Sequence, residues 1–280
     1  MTTIPNSPHA RDIAALLHPQ TNTGEHEQVG PLILDEGKGI YVKDLEGKEY
    51  LEGMAGLWCT SLGFSNERLV DAAIAQMRKL PTYHTFFGRS NMAAIELAEK
   101  LLSIAPVPMS KVWFANSGSE ANDHMVKFVW YYNNACGRPE KKKIIGRLEG
   151  FHGTAVSSGS LTGLTRTHKD FDLPIARFLH TGSHHYYGHA RNGESEEAFA
   201  TRRAEELEQL ILDEGPETIA AVVAEQAEKQ RVVQHQHVSG KNPAAGALVK
   251  TGLAQLGDVG AVAAQLGRSQ AALRVDKIPH

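Results

Sequence analysis

The sequence predicts a three-layer α/β domain from about residue 110, preceded by an antiparallel β segment. Three observations carry this expectation. The apolar run Val112-Trp113-Phe114-Ala115 reads as a buried strand and leads through a tight turn into a helical pattern. An amphipathic helix over residues 194–213 is followed by Gly215-Pro216-Glu217-Thr218 and the apolar strand Ile219-Ala220-Ala221-Val222-Val223-Ala224-Glu225, as in a βαβ crossover. Strand-like stretches alternate with turn residues before residue 52.

With 280 residues the chain can bury a sizeable core, in one large or two modest domains. A hydrophobic content of 41% and a charged content of 22% describe an ordinary globular protein. A net charge of -3 gives no bulk electrostatic case for nucleic acid or an anionic membrane. Met1 to Leu17 has neither a long apolar core nor a basic leader, so no signal peptide is expected, and no segment approaches the length of a membrane span. Cys59 and Cys136 make no disulfide framework and read as reduced thiols of a cytoplasmic protein.

Ile33-Leu34, Ile40-Tyr41-Val42 and Tyr50-Leu51 are strand-like, and Asp44 to Gly47 supply a turn, so a hairpin or meander is expected. Gly53 to Cys59 is Gly-rich, and Trp58 within it reads either as a core residue or as one at a pocket rim. Residues 66–80 read as an amphipathic helix capped by Asn66 and stopped near Pro81. The loop Thr82-Tyr83-His84-Thr85-Phe86-Phe87-Gly88 is rich in aromatics, which exposure would penalise unless something covers them. Residues 91–104 carry another helical pattern.

The run Asn116-Ser117-Gly118-Ser119-Glu120-Ala121-Asn122 is the centre of the chain. Ser117 and Glu120 have the S-x-x-E spacing of a capping box, and the helix that follows meets stop signals at Gly137 and Pro139. A helix start with Gly and hydroxyls can seat a phosphate on its free N–H groups. Most S-x-x-E turns cap a helix and bind nothing. The run matches neither the P-loop nor G-x-G-x-x-G. Further on, Lys141 to Lys143 read as a solvated entry to the strand at Ile144-Ile145, and residues 155–190 read as loop. His184, His185 and His189 lack the H-E-x-x-H arrangement or paired cysteines of a zinc site, so no metal site is expected there. The pair His235 and His237 is read as incidental.

The run Phe114 to Asn122 resembles the phosphate-cup motif of class III aminotransferases, the omega-transaminase group of fold type I enzymes that use pyridoxal 5'-phosphate (PLP). The resemblance covers about residues 10–225. It implies the fold type I large domain, here incomplete, and divides the chain into an N-terminal segment with a β-meander (1–65), a partial PLP-binding domain (66–225) and an atypical tail (226–280). It implies that Ser117, Gly118 and Ser119 bind the cofactor phosphate, that Phe151 stacks on the pyridine ring with His152 beside it, and that Glu225 lies near the ring. It places Trp58, Phe86 and Phe87 in the substrate pocket, the aromatic loop reaching a partner subunit's site in a homodimer. Small-molecule amines and keto acids are the implied substrates.

After Glu225 the resemblance stops. Family members continue with Pro and a Gly-rich loop, whereas this chain reads Gln226-Ala227-Glu228-Lys229-Gln230. No aromatic residue follows Phe199, where ordinary composition would put about five or six. The tail reads as foreign to the parent fold, as a frame change, a fusion or a truncated gene would produce. A transaminase needs a Lys that forms a Schiff base and an Asp on the pyridine nitrogen. Lys241, Lys250, Lys277, Asp258 and Asp276 stand in no family-like surroundings, so no catalytic residue is assigned. The chain thus reads as an aminotransferase by descent that is inactive alone. A non-catalytic remnant or interaction module is the alternative, and a Rossmann-type enzyme is disfavoured by the missing glycine fingerprint. Lost central strands would leave apolar edges and poor solubility.

Overall fold

The computed structural model describes residues 4–224. The chain divides into two compact units, Met1–Met92 and Ala93–His280. Glu225 and the tail residues lie outside the described part.

In the first unit, helix α1 (Pro8–Ala15) is capped by the Ser7 hydroxyl, which accepts from the Ala10 N–H, with Pro8 at the first helical position. Helix α2 (Thr23–Val29) is capped by Asn22 and closed by Gly30 at φ 77°. Strands β1 (Leu34–Lys38), β2 (Tyr41–Asp44) and β3 (Glu49–Leu51) form the expected antiparallel meander, with Val42 opposite Tyr50. Asp44 fixes its second turn. One carboxylate oxygen accepts the Glu46 and Lys48 N–H groups, and the other accepts the Tyr50 hydroxyl at 2.7 Å. A one-turn helix, α3 (Ala55–Trp58), has left-handed residues within it, and helix α4 (Glu67–Lys79) is capped by Asn66 as expected. Helix α5 (Met92–Ile104), which lies in the second unit from Ala93 onward, fits the pattern read over 91–104.

The second unit carries the layers. Helix α6 (Gly118–Ala135) leads to strand β4 (Lys143–Arg147), helix α7 (Val156–Leu161) and strand β5 (Phe178–Thr181). Helices α8 (Tyr186–His189) and α9 (Glu196–Glu214) precede strand β6 (Ile219–Val222). The sheet order is β5-β4-β6, all parallel, with Ile144 opposite Phe178 and Ile145 opposite Leu179.

Side chains alternate across a strand, so neighbouring residues serve opposite faces. Ile144, Phe178 and Ala220 pack with Val126 of α6 and Leu161 of α7, while Ile145 and Ile219 pack with Ile211 of α9. The sheet is therefore sandwiched between α6 and α7 on one side and α9 on the other, the three layers expected from the sequence.

Two sequence expectations fail here. The run 112–115 is not a strand. Among the described residues the sheet ends at β5 and β6, and neither pairs with it. A β ladder needs a partner whatever the apolar content of the run. Trp113 packs instead on His124 and Phe128 of α6 at ring distances of 5.0 and 5.3 Å. Residues 155–190, read as loop, contain α7, β5 and α8. Strand β5 escaped notice because Phe178-Leu179-His180-Thr181 is short and mixes polar with apolar residues.

A polar clasp holds the start of α9. Arg202 donates to both oxygens of Glu194 at 2.7 Å and also to the His189 carbonyl. This bond, with the Arg191 N–H, holds the Glu194 carboxyl at about 2 against an ordinary 4.5. A carboxyl lowered in the folded state stabilises fully above its unfolded value and loses that contribution as pH falls through the folded one. Arg202→Met is expected to reduce stability near neutral pH. In urea unfolding series the gap to the parent chain narrows as pH falls from 4.5 toward 2. A gap independent of pH would remove the charge from this account.

Candidate functional site

The site grows from the first turn of α6. Ser117 is extended, at φ -152° and ψ 163°, and its hydroxyl accepts the Glu120 N–H at 3.1 Å. The Ala121 N–H goes to the Ser117 carbonyl. The first four N–H groups of a helix lack intrahelical acceptors, so those of Gly118 and Ser119 remain directed outward. A Cβ at Gly118 would meet nothing within 4 Å, so the space beside this turn is open. The expected capping box is shifted by one residue. Glu120 accepts from the backbone N–H of Asn116 at 2.8 Å and from its side chain at 3.1 Å, in place of the Ser117 N–H. Those two bonds, with His124 nearby, hold the Glu120 carboxyl below its usual range.

The loop after β4 is tied to this helix start. The Ser119 hydroxyl accepts the Thr154 N–H at 3.1 Å, the Asn122 side chain donates to the His152 carbonyl at 2.6 Å, and Asp123 accepts the Ser158 N–H at 2.8 Å. From the other side, Thr162 accepts the His152 N–H and donates to the Gly153 carbonyl. Gly153, at φ 136°, has no room for a side chain, because a Cβ would lie 2.6 Å from the Ser158 hydroxyl and 2.7 Å from that of Ser119. Only glycine allows this approach. His152 is buried, whereas the Phe151 ring is half exposed. The structure thus gathers Ser117, Gly118, Ser119, Phe151 and His152 at one end of the parallel sheet. That end is the carboxyl side of the strands, where ligands bind in open α/β sheets.

Trp58, Phe86 and Phe87 belong to the first unit. Trp58 is exposed and left-handed at φ 67°. Phe87 is also left-handed and the more exposed of the Phe86–Phe87 pair, whose rings lie 6.1 Å apart. Glu225 lies outside the described residues. His189 binds Glu149 at 3.0 Å, and Ser183 donates to the same carboxylate at 2.6 Å, which fastens the 182–190 stretch to the end of β4.

Sequence reasoning missed Asn122, Asp123 and Thr162. A signal existed for the first two, since both share the helical face of buried Val126, where polar side chains need partners.

The residues present fit a planar phosphorylated cofactor. Outward N–H groups and hydroxyls at a helix start suit an anion, and a half-exposed ring follows on the tied loop. The Ser158 hydroxyl, buried beside Gly153, has no hydrogen-bond partner among the described residues.

Comparison with known proteins agrees with this reading. Residues 23–233 match the family model Aminotransferase class-III. The chain belongs to the class III aminotransferases.

It is 53% identical over 211 residues to gamma-aminobutyrate transaminase 1, mitochondrial, of Oryza sativa subsp. japonica, covering 75% of this chain and 41% of that protein. It is 51% identical over 203 residues to vanillin aminotransferase of Capsicum annuum, covering 72% and 44%. Among solved structures, the omega transaminase from Pseudomonas jessenii in complex with PMP is 59% identical with a TM-score of 0.76, over 77% of this chain and 48% of that one. The chain spans less than half the length of these relatives. The matching solved structures carry the fold type I architecture expected from the sequence, and PLP is the cofactor of the family.

Replacing Ser117 with Ala should cost about 0.5–2 kcal/mol as a lost helix cap. Replacing Asn122 with Ala should cost about 0.5–1.5 kcal/mol for one hydrogen bond. Chemical denaturation measures both, and no loss in either variant would disconnect these contacts from the stability of the site.

Proposed function

We propose that this chain holds PLP at the start of α6, as the cofactor-binding part of a class III aminotransferase. The observation that supports it is the turn at Ser117-Gly118-Ser119, open on one side and tied by Ser119 and Asn122 to the loop that carries Phe151. The N–H groups of Gly118 and Ser119 would bind the phosphate, and the helix dipole adds about 0.3–1 kcal/mol. The Ser119 hydroxyl accepts from Thr154 and still has its own proton to donate. Phe151 would cover the ring, with His152 and Glu225 beside it. Bound there, PLP would supply an electron sink for moving an amino group between an amine or amino acid and a keto acid or aldehyde.

Trp58, Phe86 and Phe87 are proposed to wall the substrate pocket in a homodimer. The domain limits proposed are residues 1–65, 66–225 and 226–280. The compartment proposed is the cytoplasm. No helix among the described residues is long and apolar enough to cross a membrane, while relatives are named mitochondrial or chloroplastic.

The proposal includes inactivity of the 280-residue chain alone, because Lys241, Lys250, Lys277, Asp258 and Asp276 lie beyond the family match, which ends at residue 233. The second reading, a non-catalytic module that holds PLP weakly or pairs with a longer relative, is favoured by the same observation.

PLP titration followed by absorbance is expected to show saturable binding that inorganic phosphate competes away. Ser119→Ala should weaken it by about 1.5–3 kcal/mol, the range for a hydrogen bond to a charged group. After borohydride no cofactor should remain covalently attached. Indifference to phosphate and to Ser119 would overturn the binding assignment. Covalent retention on a lysine would overturn the inactivity.

A further inference from the structure

The first unit holds a cluster that the transaminase reading does not use. Asp12 lies within α1, His18 follows the end of that helix, and His26 lies within α2. One oxygen of Asp12 meets the Nε2 atom of His18 at 2.9 Å and the Nε2 atom of His26 at 3.0 Å. The three donor atoms lie within 4.8 Å of one another. The side chains are 16%, 29% and 12% exposed respectively, so the group is sheltered but reachable. Both imidazole bonds lower the Asp12 carboxyl below its usual range, that of His18 first.

We propose that Asp12, His18 and His26 bind a divalent first-row transition-metal ion of the Zn2+ type. Two imidazoles and one carboxylate are a donor set that zinc and non-haem iron sites use, and it suits Zn2+ better than the all-oxygen preference of Mg2+ or Ca2+. Donors that each sit about 2.0–2.2 Å from one ion lie roughly 2.9–3.5 Å apart, so the oxygen-to-nitrogen distances already match. In each of the two rings binding changes only the tautomer. The proton that Nε2 donates to Asp12 moves to Nδ1, and the Nε2 lone pair turns to the metal while Asp12 gives its oxygen lone pair to the same ion.

The loop geometry presents the donors. Pro19 follows His18, Gln20 is left-handed at φ 54°, and the Thr21 hydroxyl donates to the Pro19 carbonyl at 3.0 Å. This bend folds α2 back toward α1. An open cavity of about 270 Å³ lined by Leu16, His18, Thr21, His26 and Glu27 adjoins the cluster and gives room for a water in the remaining coordination position. The role that follows is a clasp between α1 and α2, independent of PLP.

The test uses the full chain, stripped with a chelator and titrated with Zn2+ alone by calorimetry, with metal content measured after gel filtration. One ion per chain and a higher Tm, reversed by chelator, are expected. His18→Ala and His26→Ala should each weaken binding at least about tenfold, the loss seen even for residues that merely support a ligand. His18→Gln and His26→Gln should do the same if the alanine variants unfold. A His184→Ala/His185→Ala variant should leave binding intact. Absence of stoichiometric Zn2+, or binding unchanged in the His18 and His26 variants, would overturn the site and leave a hydrogen-bonded Asp-His-His clasp only.

Discussion

The second unit depends on the unmet hydrogen-bonding capacity of one helix start. A helix cannot satisfy its own first N–H groups. In α6 the Ser117 hydroxyl takes the Glu120 N–H, and the space beside Gly118 is open. The loop from Phe151 to Thr154 is then held against this start by Ser119 and Asn122. The contacts that satisfy these polar groups therefore also hold the loop that carries Phe151 against the start of α6.

The core explains why that start stays in place. Ile144 and Ile145 are adjacent in β4 and fully buried on opposite faces, each packed against a different helical layer. Val126 anchors α6 to the first of these faces two turns from its start. The alternation of a single strand thus fixes α6, α7 and α9 together, and β4 delivers the loop after Arg147 to the helix that receives it.

The start of α6 was more legible in the sequence than the sheet. The Ser-Gly-Ser turn was legible because N–H capping depends on local residue types, and the helices at 66–80 and 91–104 were legible from their periodicity. The apolar run 112–115 misled because strand formation depends on a neighbour the local sequence does not contain. Strand β5 was hidden for the converse reason, since its pairing with β4 supplies what its residue types do not. Asn122 and Asp123 became legible only once their helical face was known to be buried. Asp12, His18 and His26 follow no metal-ligand spacing, and a bend at Pro19 and Gln20 brings them together.

Crystallography of the chain grown with PLP tests the central claim most directly. The account predicts phosphate density within hydrogen-bonding distance of the Gly118 and Ser119 N–H groups, with the pyridine ring over Phe151. Density for PLP elsewhere, with that helix start contacting only solvent, would contradict it.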